Sequence, residues 1–192
     1  MNTIHNKFLI FLIVLCYIPV LFLGLFDVDE GAFASTSLQM IKQKQYLIPT
    51  IGDELRLEKP ILTYWVQVVS IYIFGANEFA LRLPSIIASF IWAYSFSSFV
   101  NQHTRNVRRS EIFLNLLTLP GAFIMSSAAT ADAFLNLFIT LLMINLFNYS
   151  IKKDDKLLIW SGIYVALGFL SKGLTIIAIC GTVSLIYFSL KR

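Results

Sequence analysis

Long uncharged stretches alternate with short charged ones along this chain. Residues 8–26, 83–104, 112–131, 133–151 and 173–190 contain no Asp, Glu, Lys or Arg. A helix of about 18 or more apolar residues crosses the hydrocarbon core of a bilayer, so each run predicts a transmembrane span. The shorter run 157–171 joins them, because Lys172 at its end can snorkel to the interface. The run 61–77, "ILTYWVQVVSIYIFGAN", reads differently. Thr63, Gln67 and Ser70 fall at i, i+4 and i+7, one polar stripe on a helix, and Tyr64, Trp65 and Tyr72 suit the headgroup region. This run is expected to lie flat on the outer surface as an interfacial helix. Residues 30–43 predict its partner, with Phe33, Ala34, Ser37, Leu38, Met40 and Ile41 on one arc and Ser35, Thr36, Gln39 and Lys42 on the other. Pro49, Gly52 and Pro60 break the helix between them. The expected fold is an all-α polytopic membrane protein, with about six spans and two interfacial helices within an outer loop at 27–78.

Composition agrees with the pattern. The chain is 57% hydrophobic and 14% charged, with a mean hydropathy of +0.75, whereas a soluble domain is about a quarter charged. With the N-terminus inside, nine cations face three acids in the inner segments and six face eight in the outer ones, consistent with the net charge of +4. That excess of Lys and Arg inside is the usual orientation signal. If 61–77 crossed the membrane, Arg105, Arg108 and Arg109 would move outside, against the bias. The sequence "DVDE" after the first run is a poor signal-peptidase site, so an uncleaved first span is expected. Cys16 and Cys180 lie inside apolar runs and read as small buried hydrophobes. The basic pI of 9.1 reflects loop charges, not a nucleic-acid surface.

Chemistry concentrates at a few polar positions. Asp29 follows the first span and Asp132 opens the fourth in "SSAATADAFLNLF", both on the predicted outer face. An ionisable group at the edge of a span is a candidate site. Each aspartate also has a structural reading, a hydrated flank for Asp29 and a helix N-terminal charge for Asp132. Asp27 reads as a solvated neighbour. Arg56, Glu58 and Lys59 in "LRLEKPILTYW" suit a lipid phosphate or an anchoring rim. Lys172, in "GFLSKGLT", either snorkels or meets an anionic head group. The two histidines, His5 and His103, form no metal cluster, and no phosphate-binding Gly-Lys-Ser/Thr loop or Gly-x-Ser-x-Gly elbow occurs. Outer-face acids, phosphate-seeking cations and a greasy floor suit a reaction on a lipid-linked substrate, with an acid as base.

The ordered set "DEGAFASTSLQMI…YLIPTIGDELRLEKPILTYWVQVVSIYIFGANEFALRLPS", the turn ending at Asp132 and "ALGFLSKG" resembles the GT-C polyprenyl-phosphate-sugar glycosyltransferases, in the aminoarabinose transferase and protein mannosyltransferase-like group. The likeness runs from about residue 25 to 175. It implies inverting transfer on the periplasmic face of a bacterial inner membrane, from a polyprenyl-phosphate sugar donor to a lipid or protein acceptor. Asp29 would be the base and Asp132 a second acid. Lys59, with Glu30, Arg56 and Lys172, would serve the donor phosphate or substrate, and Glu58 allows a divalent metal. The resemblance departs at Leu174, where relatives often have proline. It also implies that the chain is the N-terminal half of a larger fold, completed by a C-terminal half or a partner subunit. Two rival classes are a non-catalytic lipid-carrier binding or translocating module and a structural subunit of a membrane complex.

Overall fold

A computed structural model describes residues 3–26, 28–105 and 107–190. Asp27, Lys191 and Arg192, which the charge pattern assigns to loops, lie outside the described residues. The regular structure among the described residues is helical apart from a small antiparallel ladder. In order come α1 (Thr3–Val20), α2 (Val28–Gln43), β1 (Thr50–Ile51), β2 (Glu54–Leu55), α3 (Leu62–Phe74), α4 (Glu78–His103), α5 (Arg109–Thr118), α6 (Pro120–Ser127), α7 (Asp132–Lys152), α8 (Lys156–Lys172) and α9 (Thr175–Leu190). The ladder pairs Thr50 with Leu55 around a turn in which Gly52 takes φ 60°. Gln39 of α2 fixes that turn, accepting from the Gly52 amide at 2.9 Å. Among the described helices, α4 and α7 are long and apolar enough to cross a membrane.

Local chemistry sets the ends of these helices. Asn77 caps α4 by accepting from the Ala80 amide at 2.8 Å, satisfying one of the free N–H groups of the first turn. Lys153 closes α7 with φ 55°, and Gly173 closes α8 with φ 64°, a region where a side chain is strained.

Two expectations need correction. The span expected at 112–131 is not one helix. Pro120 has no N–H to donate and forces Leu119 into an extended conformation, with ψ 128°, so α5 stops and α6 restarts. Residues 128–131 then leave the helix altogether. The polar stripe of α3 also faces the protein. Thr63, Gln67 and Ser70 are buried, while Val69, Tyr72, Ile73 and Phe74 are exposed. In α2 the apolar arc turns inward at Phe33, Ala34, Ser37 and Met40, with Thr36 buried and Leu38 exposed as its two departures. Cys180 is buried as expected, but Cys16 points outward from α1.

The bundle runs between two chemically distinct ends. α4 and α7 run parallel: Ser85 donates to the Thr130 carbonyl near their starts, and Phe99 packs edge-on against Phe147 near their ends. Trp92 ties the two midway, donating to Thr140 Oγ1 at 2.9 Å. α8 returns antiparallel, because Lys172 at its end reaches Asp132 at the start of α7. The core lies between them, where Phe134, Leu137, Phe138, Ile176 and Cys180 pack together. A second cluster joins α1 to α4, α5 and α6 through Tyr17, whose hydroxyl donates to the Leu117 carbonyl at 3.2 Å.

Candidate active site

One end of the bundle collects most of the residues singled out above. α2 starts there with Asp29 and Glu30 in its first turn, where carboxylates complement the helix dipole. Lys59 and Pro60 lead into α3. The turn at 128–131 delivers Asp132 to the start of α7, and α8 ends at Lys172.

Each aspartate meets a lysine. Asp29 Oδ2 lies 3.4 Å from Lys59 Nζ, with half of the Asp29 side chain and 24% of the Lys59 side chain exposed. Asp132 Oδ1 pairs with Lys172 Nζ, each side chain one-third exposed. The second oxygen of Asp132 accepts from Thr130 Oγ1 at 3.5 Å. The two pairs are neighbours in space. Pro60, next to Lys59, packs over Gly173, next to Lys172, so that a Cβ at Gly173 would lie 3.9 Å from Pro60 Cγ. Partly exposed pairs of this kind stabilise a fold by about 1 kcal/mol or less. Fold stability therefore gives little reason for two acid–lysine pairs to meet at one surface.

Behind them sits Arg56, 7% exposed, with its guanidinium 5.4 Å from the centre of the Phe33 ring. Its Nε makes no hydrogen bond, and the Arg56 side chain lies close to the buried hydroxyl of Tyr64. Burial pushes the Tyr64 phenol above its ordinary value, Arg56 pulls it back, and Glu58 and Asp29 add to the rise. Tyr64 thus lies within electrostatic reach of three of the sequence-predicted site residues. Gln67, one turn further along α3, accepts from Ser37 Oγ at 2.7 Å and donates to the Ala129 carbonyl at 3.0 Å. The floor of the site is therefore pinned to α2, α3 and the turn before Asp132 together.

Glu30 departs from its expected role at the donor. It is completely buried, and both oxygens are engaged: it pairs with Arg82 at 2.8 Å and accepts from the Ala129 amide at 2.7 Å. No face of the carboxylate is open to a substrate, so Glu30 is a structural group. Arg82 is the residue that sequence reasoning missed, having counted it only as an outer-loop cation. The signal was its position in "FALRLP", where a charge among apolar residues at the start of a long helix needs a buried partner. Glu58 stands exposed. Among the described residues, no three His, Cys, Asp or Glu converge on one point. Glu58 belongs to no such cluster.

The model of the dolichyl-phosphate-mannose-protein mannosyltransferase family matches residues 58–192. The undecaprenyl phosphate-alpha-4-amino-4-deoxy-L-arabinose arabinosyl transferase of Wigglesworthia glossinidia brevipalpis is 30% identical over 183 residues, covering 90% of this chain and 32% of that protein. The corresponding transferase 1 of Proteus mirabilis is 26% identical over 188 residues, covering 93% and 34%. In fold the chain is similar to crystal structures of ArnT from Cupriavidus metallidurans. The apo form gives a TM-score of 0.86 at 19% identity, covering 97% of this chain and 36% of that one. The form bound to undecaprenyl phosphate gives 0.84 at 21% identity, covering 100% and 37%. The chain spans about a third of the length of the curated relatives it matches. With the match reaching from Glu58 through the rest of the bundle, the chain belongs to the dolichyl-phosphate-mannose-protein mannosyltransferase family.

Proposed function

We propose that this chain forms the acid- and cation-bearing part of a multi-pass membrane glycosyltransferase, which moves a sugar from a polyprenyl-phosphate donor to a lipid or protein acceptor. The observation that carries the reading is the pairing of Asp29 with Lys59 beside Asp132 with Lys172 at one end of the bundle. The inner-loop cations Arg105, Arg108, Arg109, Lys152, Lys153 and Lys156 belong to the opposite end, where α4 and α7 finish and α5 and α8 begin. On the positive-inside rule the paired end faces the periplasm and the N-terminus the cytoplasm. Six spans then cross a bacterial inner membrane, the third one broken at Pro120. The names of the relatives favour an undecaprenyl-phosphate aminoarabinose donor.

In this mechanism the acceptor oxygen attacks the anomeric carbon in a single displacement, so the configuration inverts. The bond from that carbon to the phosphate oxygen breaks, and its electron pair leaves with the polyprenyl phosphate. The hydroxyl proton passes to Asp29, which Lys59 holds in place. Lys59 and Arg56 meet the leaving phosphate, and Asp132, held by Lys172, supports the acceptor or the sugar. A positioned base contributes about 10²–10⁴-fold, and each pre-placed donor on developing charge on the order of 3 kcal/mol.

The test is Asp29→Asn in a transfer-competent protein, with radiolabelled donor and acceptor. Transfer should fall at least about a hundredfold while membrane insertion is kept. Near-normal transfer would remove Asp29 from the chemistry. Single cysteines at Asp53, Ser110 and Leu174, in a protein lacking Cys16 and Cys180, fix the sidedness with an impermeant thiol reagent. Positions 53 and 174 should label and 110 should not. Labelling at 110 with protection at 53 would invert the topology.

A further inference from the structure

The buried Glu30–Arg82 pair is fully hydrogen-bonded, as an ion pair withdrawn from water must be, and its extra bonds tie it to several separate segments. Arg82 has no exposure to solvent, and its guanidinium carries five N–H groups. Nε donates to Glu30 Oε1 at 2.9 Å and Nη2 to Glu30 Oε2 at 2.8 Å, the two-pronged match of guanidinium to carboxylate. Nη2 also donates to the Gly24 carbonyl at 3.0 Å, and Nη1 to the carbonyls of Val20 and Leu23. Every donor is used. Glu30 completes the network by accepting from the amides of Ala129 at 2.7 Å and Phe26 at 3.2 Å.

These partners come from five pieces of chain: the end of α1, the segment leading to α2, the first turn of α2, the second turn of α4, and the turn before α7. Two of them are next to the site acids. Glu30 adjoins Asp29 in sequence, and Ala129 lies three residues before Asp132. We infer that the Glu30–Arg82 pair is a positioning clamp, which fixes the separation of the Asp29 and Asp132 carboxylates without touching the substrate. Arg82 is then a positioning residue of the proposed transfer reaction, and this inference rests on that reading. A lysine would keep the charge but lose the planar fork, and could not hold the carboxylate and three carbonyls together. A glutamine at position 30 would keep the shape and lose the charge.

The experiment measures the separation and the chemistry independently. Spin labels on cysteines replacing the exposed Val28, beside Asp29, and Leu174, beside the Lys172 turn, are read by double electron–electron resonance in the full transfer-competent protein. Cys16 and Cys180 are replaced by alanine. Arg82→Lys and Glu30→Gln should each broaden the 28–174 distance distribution at least about twofold. They should also lower kcat about a hundredfold with KM changed less than about threefold, since an ångström of misplacement costs about that much rate. Asp29→Asn should leave the distribution narrow while abolishing transfer. An unchanged distribution in a folded Arg82→Lys protein overturns the clamp, and so does a broadened distribution with unchanged kcat. If Glu30→Gln does not fold, the milder Arg82→Lys decides. Should Asp29→Asn keep full transfer, the proposed mechanism falls, while the distance measurement still decides whether the pair sets the geometry.

Discussion

Replacing Gln67 by leucine is a sharp test of how the floor of the site is held. Gln67 is 1% exposed and spans from Ser37 on α2 to the carbonyl of Ala129. Leucine has nearly the same volume, so the packing survives and only the amide is lost. Two buried groups then lose their partners, and each unsatisfied buried polar group costs about 1–3 kcal/mol. The costs are unequal. Ser37 can turn its hydroxyl onto a carbonyl one turn back in α2, which softens its share. The Ala129 carbonyl has no such choice, because its turn lies outside any helix. Against this, leucine is favoured by burial by roughly 1–2 kcal/mol relative to an amide. The net loss should be about 1–2 kcal/mol, a drop in thermal midpoint of roughly 2–8 °C for a chain of this size.

Thermal unfolding in detergent, followed by circular dichroism, reads the loss. In the Gln67→Leu background, Ser37→Ala removes an orphaned hydroxyl and should recover part of the loss, whereas in the parent it breaks a good hydrogen bond. The two changes should therefore be non-additive by at least about 0.5 kcal/mol. An unchanged midpoint for Gln67→Leu, or strict additivity in the double variant, would refute the argument.

Two other changes test the packing and the charge around the site. Gly168→Ala on α8 puts a Cβ into collision with Ile176 Cδ1 and only 3.2 and 3.3 Å from its Cγ1 and Cβ. Ile176 is fully buried, so the change should cost about 1–3 kcal/mol by overpacking, and Ile176→Val should relieve it; a neutral single variant would show that α9 yields freely. For Glu30, burial pushes the carboxyl up, but the Arg82 hydrogen bond and the amides of Ala129 and Phe26 outweigh it and hold it below its ordinary value of 4.5. A folded-state pKa below the unfolded one gives stability that is present above about 4.5 and lost as the pH falls through the lower folded value. Unfolding from pH 7 downward should therefore show a constant contribution from Glu30 until about 4.5 and a steepening loss below it, and Glu30→Gln should lack that loss. An identical acid slope in the two proteins would sink the assignment.

Much of this architecture is legible in the sequence because its signals are local. Asp29 after an apolar run, Lys59 before an aromatic helix, Asp132 after a small-residue turn and Lys172 before glycine each announce themselves within a few residues. The break at Pro120 was equally local, and was masked only because counting uncharged residues does not ask whether each one can donate a backbone hydrogen bond. What stayed hidden is non-local. Glu30 and Arg82 are 52 positions apart, and each alone looks like a flank charge; only the fold shows that seven hydrogen bonds meet there rather than water.

The inverted face of α3 follows from the same distinction. A period of 3.6 says that Thr63, Gln67 and Ser70 share a side, but it is silent about which side faces inward. In water the apolar side goes in, since burial there removes hydrocarbon from a cohesive solvent. Against lipid that drive vanishes, and polar groups gain more from partners inside the protein than from the acyl chains outside. Of the three, Gln67 finds two such partners, Thr63 Oγ1 and Ser70 Oγ make no hydrogen bond, and Val69, Ile73 and Phe74 point outward. The orientation of α3 is thus itself an argument that its outer face meets hydrocarbon, from bilayer or from further helices. Its polar edge is anchored through Gln67 to α2 and to the turn before Asp132, and its apolar edge is left exposed.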